Sequence, residues 1–334
     1  MYQIYAGGLG SANIDIDSGG RCFMTFKLGY LLPTRENIMN GNQSTQDLLN
    51  MAKCAVDFGF DSVWVGDSLL ARPRHEPMTL LSAVTLAVPG TQIGTAVLLP
   101  ALRNPVLLAH QVATVDQLSE GRLILGVGIA ADNPAVRTEF RSAGVPFDKR
   151  VGRLVETLNL CRALWSGDEV DWDGRWKVES ADLQPKPFQK EGPPIWLASG
   201  VPNGIERAAN YFDGWFPIGP NVKAFRQGQA LFERTVDSLG KKSDRMTSAI
   251  YLTCCVNDDP RKADDLINSY LSDYYNASAM VIRGFQACCG GTLDQVIEFI
   301  RSFKYAGARH VVLRLVGDHL LAMRAISNAR KCLD

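Results

Sequence analysis

The sequence predicts a (β/α)8 TIM barrel, and three observations carry that prediction. From Phe26 onward, short β-rich apolar runs alternate with amphipathic segments, each separated by a few Gly, Asp or Pro residues. That alternation is the signature of a parallel sheet whose strands are joined through helices. The strand-like runs number eight, the count that closes such a sheet. One local design also occurs twice: in Phe58-Gly59-Phe60-Asp61-Ser62-Val63 and Ala306-Gly307-Ala308-Arg309-His310-Val311, a helix ends at Gly and a strand starts three residues later. An open doubly wound sheet is the alternative topology.

In chain order the expected strands are Phe26–Leu32, Ser62–Gly66, Thr91–Val97, Leu123–Val127, Ile195–Ala198, Gly214–Pro217, Ser248–Val256 and His310–Leu315. Helical periodicity covers Thr45–Phe58, Pro77–Val88, Pro105–Leu118, Lys149–Leu164, Gly204–Tyr211, Val222–Leu239, Arg261–Tyr274 and Leu293–Tyr305. Local chemistry sets several boundaries. Asn104 before Pro105 is an N-cap with proline at the first helical position, and Gly121 closes that helix after Glu120. Thr292, three residues before Gln295, reads as a capping box. The regularity lapses between Gly128 and Pro194, where Asp173-Gly174 joins two short β-like runs as a hairpin with a turn favouring positive φ. This stretch is an insertion in the connection after the fourth strand. Residues 24–334 are then one barrel domain, preceded by an N-terminal extension, residues 1–23, that the pattern does not explain.

Composition narrows the function. The 334 residues carry 35 basic and 35 acidic side chains, so the electrostatic footprint of a nucleic-acid or anionic-membrane binder is absent. No run approaches the ~18 consecutive apolar residues of a membrane span. The Gly-rich start lacks a charged n-region and an apolar h-region, so a cytoplasmic product is expected. The eight cysteines show no C-x-x-C spacing and read as reduced, buried small hydrophobes, the vicinal pairs Cys254-Cys255 and Cys288-Cys289 included. Schiff-base chemistry lacks a strand-end lysine, and the four histidines, His75, His110, His310 and His319, are too scattered for a metal site, so none is expected. Gly126-Val127-Gly128-Ile129-Ala130-Ala131 resembles a dinucleotide fingerprint. It lies mid-chain, with no acidic residue ending a second strand, so close backbone packing at the barrel mouth is the better reading.

Four segments together resemble the bacterial luciferase-like oxidoreductases, a barrel family that uses reduced FMN or the deazaflavin F420. They are Asp61-Ser62-Val63-Trp64-Val65-Gly66-Asp67; Ile93-Gly94-Thr95-Ala96-Val97-Leu98-Leu99-Pro100 with Arg103-Asn104-Pro105; Asp116-Gln117-Leu118-Ser119-Glu120-Gly121-Arg122-Leu123 running into Gly126-Val127-Gly128; and Pro193-Pro194-Ile195-Trp196-Leu197-Ala198-Ser199-Gly200, continued by Asp213-Gly214-Trp215-Phe216-Pro217. The resemblance spans about Thr25 to Gly317 and implies a flavin ring against the ends of strands two to four. It implies cofactor contacts at Asp67, Thr95, Ala96, Val97, Gly128, Ile129 and Trp215, with a non-proline cis peptide at Ala96–Val97. Ser199, Gly200 and Val201 look like the phosphate cradle, since a glycine before a helix N-terminus suits a phosphate; an ordinary turn is the other reading.

Asp67 is a catalytic candidate that contacts ring or substrate, or else caps the next turn. Ser68 stands where many members carry His, and Ala131 where an F420-dependent sugar-phosphate dehydrogenase carries Glu. His75 and His319, expected at the mouth, are the candidate replacements, against the alternative of structural histidines; His110 and His310 are assigned to structure. Arg314, with Asp318 beside it, is placed to bind a polar or anionic substrate or to form an ion pair. Tyr274 and Tyr275, with Trp215 and Phe216, are expected to line an apolar substrate pocket or to pack in the core. The missing acid and base favour a reduced-FMN monooxygenase of a small organic substrate, supplied by a separate flavin reductase. F420-dependent hydride transfer is the alternative, and a non-catalytic flavin-binding barrel is a third reading. A homodimer is compatible with all three.

Overall fold

In a computed structural model, which describes residues 14–16, 22–24, 26–241 and 246–333, eight parallel strands form a closed barrel. They are β1 (Lys27–Leu31), β2 (Ser62–Val65), β3 (Gln92–Leu98), β4 (Leu123–Val127), β5 (Ile195–Leu197), β6 (Gly214–Trp215), β7 (Thr247–Val256) and β8 (His310–Leu315). Each pairs with its sequence neighbours, and β8 returns to β1 through Val311 opposite Leu28. Between β6 and β7 the ring is narrow, held by Gly214 opposite Thr247 and Trp215 opposite Ser248. A short strand, Cys288–Gly291, extends the same edge of β7 toward its C-terminal end. Of the expected N-terminal extension, Ile14–Ile16 pairs antiparallel with Cys22–Met24, and the remainder lies outside the described residues.

Strand alternation divides the core in two. Leu31, Trp64, Ile124, Trp196, Phe216, Ala249, Tyr251 and Val312 fill the lumen. Their neighbours, among them Leu28, Tyr30, Val63, Val65 and Leu313, point outward and pack beneath the helices. The lumen is aromatic: the Trp64 ring lies 5.5 Å from those of Trp196 and Phe216. The cover is built from α1 (Thr34–Met39), α2 (Thr45–Asp57), α3 (Pro77–Ala87), α4 (Pro105–Leu118), α5 (Pro134–Ser142), α6 (Arg150–Ser166), α7 (Pro202–Tyr211), α8 (Val222–Ser238), α9 (Pro260–Tyr275), α10 (Ala279–Arg283), α11 (Leu293–Tyr305) and α12 (His319–Asn328). No helix among the described residues is long and apolar enough to cross a membrane.

Several caps follow from the residues named above. Asn104 accepts from the amides of Val106 and Leu107, and Thr292 forms a capping box with Gln295. In the repeated helix-to-strand design, Gly59 and Gly307 both adopt positive φ, at 78° and 105°. Four helices escaped the periodicity. α1, α5 and α10 have six, nine and five residues, and α12 starts inside what reads as a loop after β8. The insertion between β4 and β5 contains α5, α6 and the hairpin Val170–Asp173 with Lys177–Ala181. Its turn departs from the expected form. Gly174 is not among the positive-φ glycines, and a Cβ there would fall 2.3 Å from the Glu156 carboxylate. Close approach of the Glu156 side chain, not handedness, is what glycine accommodates here.

His310 is a structural residue of the lumen floor, 3% exposed, with its Nε2 2.8 Å from the Ser62 hydroxyl. Ser62 in turn accepts from the Trp64 indole at 2.7 Å. Burial, reinforced by repulsion from Lys27 and Arg330, pushes the imidazole down to about 3 from its ordinary 6.5. The unfolded chain therefore takes up this proton at a higher pH than the folded one. The stability linked to His310 is complete above pH 6.5 and is lost as pH falls from 6.5 toward 3, at about 1.4 kcal/mol per unit. Thermal unfolding of wild type and His310→Gln across that range should show a shallower acid decline in the variant; parallel curves would contradict the assignment.

Candidate functional site

The C-terminal ends of β2 to β5 converge on one mouth, and its geometry starts with the bulge in β3. The register between β3 and β4 shifts between Thr95 and Leu98, and the Ala96–Val97 peptide is cis, as the resemblance implies. The Thr95 hydroxyl is buried and donates to the Gly126 carbonyl at 2.7 Å. β4 tolerates this only because it offers glycine twice. A Cβ on Gly126 would fall 2.1 Å from the Thr95 carbonyl oxygen, and one on Gly128 would fall 2.5 Å from the Val97 side chain. The Gly126 to Ala131 segment thus serves close backbone packing. Ala96 and Val97 rest half-buried on the lumen cluster, while Ile129 is half-buried against the outer one.

Asp67 is occupied. Its carboxylate, 4% exposed, forms a two-pronged ion pair with Arg103 at 2.5 and 3.1 Å and accepts from the Leu99 amide at 2.9 Å. Arg103 also reaches Glu76, the N-cap of α3, at 3.2 Å. Asp67 is therefore a brace between the loops after β2 and β3, not a free proton acceptor. Ser68 has a comparable task. With the amides of Leu70 and Ala71, it donates to the Glu139 carboxylate on α5, which is 1% exposed. Sequence reasoning missed Glu139, whose only signal was a carboxylate inside an unrecognised short helix.

The two histidine candidates are held by other parts of the chain. His319 opens α12 in the outer layer, where its Nδ1 lies 2.6 Å from the Tyr30 hydroxyl. Tyr30 points outward from β1, and burial lowers the His319 pKa. His75 is half-buried in the loop after β2, with Nε2 3.3 Å from the Gln43 carbonyl and Nδ1 buried without a partner. Trp215 is likewise corrected. Strand alternation turns Phe216 inward and Trp215 outward, where it stacks on Phe225 with ring centroids 5.1 Å apart. Its indole donates to the Ser199 carbonyl at 2.7 Å, so it positions the following loop.

Beyond β5, Ser199 is half-buried, whereas Gly200 and Val201 are exposed. Val201 caps α7 with no side-chain acceptor for the first amides of the helix. A Cβ on Gly200 would meet nothing within 4 Å, whereas one on Gly204 would fall 1.8 Å from the Ser199 hydroxyl. The close approach thus belongs to Gly204, an unexpected residue, and Gly200 leaves open space before the helix N-terminus. An uncapped N-terminus behind an open glycine suits a phosphate group.

Tyr274 and Tyr275 do not line an apolar pocket. Tyr274 is 2% exposed and its hydroxyl accepts from Arg74 at 2.9 Å. Tyr275 donates to Gln286 at 2.8 Å and accepts from Arg314 at 3.2 Å. Arg314 faces the lumen from β8, and Asp318 does not pair with it, serving instead as the N-cap of α12. Burial opposes the Arg314 charge, but the surrounding tyrosines hold its pKa well above the ordinary value. Among the described residues, no group of three His, Cys, Asp or Glu side chains is placed to hold a metal.

Comparison with known proteins agrees with this geometry. The family model of the luciferase-like monooxygenases matches residues 26–310. The chain belongs to that family. Curated relatives include the F420-dependent glucose-6-phosphate dehydrogenase of Nocardia farcinica, 31% identical over 59% of this chain and 62% of the relative. That of Mycolicibacterium gilvum is 30% identical over 65% of this chain and 67% of the relative. The fold is shared with an F420-dependent secondary alcohol dehydrogenase in complex with an F420–acetone adduct, with a TM-score of 0.79 and 22% identity over 93% of this chain and all of that one. It is also shared with the long-chain alkane monooxygenase LadA, with a TM-score of 0.74 and 14% identity over 92% of each chain.

Replacing Arg103 with Met should leave the Asp67 carboxylate buried without its counter-charge and destabilise the protein by about 3–5 kcal/mol. The double variant Asp67→Asn with Arg103→Met should recover part of that loss. Urea unfolding of wild type, Arg103→Met, Asp67→Asn and the double variant measures the coupling, and full additivity would show that the pair does not act as a brace.

Proposed function

We propose that this protein is an F420-dependent oxidoreductase. The observation that carries the reading is the pairing, at one mouth, of the Ala96–Val97 bulge with the uncapped, open loop from Ser199 to Val201 before α7. The first offers a flat, small-residue seat for a fused ring, and the second offers helix amides for the phosphate of the same molecule. Relatives named as F420-dependent dehydrogenases support the deazaflavin over other ring cofactors.

In this reading Ala96, Val97 and Gly128 seat the ring, and Ser199, Gly200 and Val201 with the first turn of α7 hold the phosphate. The cofactor supplies hydride transfer to or from an organic substrate. The protein positions and desolvates. Trp215 fixes the Ser199 carbonyl, and the Asp67–Arg103 pair fixes the loops that flank the bulge. Reduced FMN with oxygen is the second reading, favoured by Ser68 and Ala131, which stand where acid and base residues are found in F420-dependent sugar-phosphate dehydrogenases. In that case a separate reductase supplies the cofactor. Titration of the protein with F420, FMN and FAD in both redox states decides between the two, and binding of none of them would remove the proposal.

Gly200→Val tests the cradle. A Cβ at this position meets no protein atom within 4 Å, so the variant should keep its melting temperature. Its side chain would instead occupy the space before α7 and remove two or three charge-assisted hydrogen bonds, each worth roughly 1.5–3 kcal/mol. Cofactor affinity should fall at least about a hundredfold. A stable variant with unchanged affinity would take this loop out of the site.

A further inference from the structure

The mouth of the barrel carries more positive charge than its own residues neutralise. Arg314 is 6% exposed, and its guanidinium carbon lies 4.1 Å from the Tyr274 ring centroid and 4.8 Å from that of Tyr251. Arg35 stands 4.9 Å from the Tyr274 ring, and Arg72 stands 4.8 Å from the Tyr275 ring. Arg74 joins them through the Tyr274 hydroxyl. The carboxylate that reaches this group is Glu36, which accepts from the Tyr270 hydroxyl. None of the four arginines forms an ion pair within 4.0 Å among the described residues. The tyrosine hydroxyls satisfy some donors but bring no negative charge, and the Nε atoms of Arg314 and Arg35 and the Tyr251 hydroxyl are buried without partners. Unpaired buried guanidinium groups are costly to a fold unless another molecule completes them.

The position of this charge is as informative as its excess. Arg314 follows Val312 on the lumen face of β8, so it stands at the top of the barrel interior. A Cβ built on Gly66, at the end of β2, would fall 2.1 Å from Arg74 Nη1 and 3.6 Å from the Ala96 carbonyl oxygen. Arg74 therefore lies beside the bulge. From α9, the Tyr274 ring packs against the Arg314 guanidinium and the Tyr275 hydroxyl accepts from it, and Gln286, bonded to Tyr275 and Thr253, holds Tyr275 in place. A guanidinium fixed in this way presents a fork that matches the flat edge of a carboxylate or a tetrahedral oxyanion.

We infer that Arg314 and Arg74 bind the anionic group of the substrate, a small organic molecule bearing a carboxylate, sulfonate or phosphate, and hold it beside the Ala96–Val97 bulge. The inference rests on the reading of that bulge as the ring seat. The anion site itself is tested separately from the cofactor.

Calorimetric titration at low ionic strength with acetate, methanesulfonate and inorganic phosphate should give saturable one-site binding for at least one probe, and the tightest probe names the anion class. Arg314→Met and Arg74→Met should each weaken that binding at least tenfold while changing the F420 and FMN dissociation constants less than threefold. Arg74 is half-buried, so its variant keeps the test intact if the Arg314 variant fails to fold. Wild-type protein that binds a cofactor but none of the three probes would overturn the inference, as would probe binding that both variants leave unchanged. Displacement of the bound probe by cofactor would also overturn it, because the arginines would then belong to the cofactor's own site. Probe binding lost in the variants, from a protein that binds no cofactor, would uphold the anion site and reject the oxidoreductase reading alone.

Discussion

The mouth of this barrel depends on how closely β3 approaches β4. The bulge from Thr95 to Leu98 carries its backbone against Gly126 and Gly128, and no side chain larger than hydrogen fits at either place. The Thr95 hydroxyl closes the contact by donating to the Gly126 carbonyl. Ala96 and Val97 are thereby left over the lumen, supported by aromatic rings that cannot shift without displacing one another. Packing of this density converts a local backbone irregularity into a fixed feature of the surface. The Asp67–Arg103 brace, the Ser199 loop and the arginines are arranged around this closely packed bulge.

The family signature divides by function along the barrel axis. Asp61 accepts from the Leu28 amide and pairs with Arg330, while Asp213 accepts from the Ile195 amide and pairs with Arg162. Asp116, fully buried, accepts twice from Gln189 and ties the end of the insertion to α4. Arg122 gathers the carbonyls of Thr85, Val88, Thr91 and Ser119. These residues bond the turns that lead into strands, where a barrel keeps its stability, and the opposite end carries the chemistry. A motif can therefore name the family through residues that never meet a ligand.

This division explains what could be read from the sequence. Strand positions were legible because a doubly buried parallel strand is a short apolar run, and the caps at Asn104 and Thr292 were legible because capping needs a particular side chain next to particular amides. Short helices such as α1 and α10 were not, since five or six residues give no periodicity to detect. At the site, the cis peptide at Ala96–Val97 and the close packing at Gly128 were legible because they belong to the backbone and travel with the motif. The partners of Asp67, His319 and Trp215 were not legible, because they depend on which way a side chain turns and on how the chain folds back: Arg103 for the first, Tyr30 for the second, Phe225 for the third. Glu139 acts on residues about seventy positions earlier, and nothing local announces that.

The charge at the mouth was hidden for a related reason. A chain with equal numbers of acidic and basic residues suggests an unremarkable surface, yet a balance over the whole chain places no constraint on any one region. Arg35, Arg72 and Arg74 come from loops and a short helix after β1 and β2, whereas Arg314 comes from the last strand, and only closure of the barrel brings them together. The carboxylate that reaches them is Glu36, while Asp67 is committed to Arg103 and Glu139 to the loop amides. The same loops that are braced by those carboxylates deliver the arginines to the mouth. The fold thus uses Asp67 and Glu139 to hold these loops in shape and leaves Arg35, Arg72, Arg74 and Arg314 without an ion pair among the described residues.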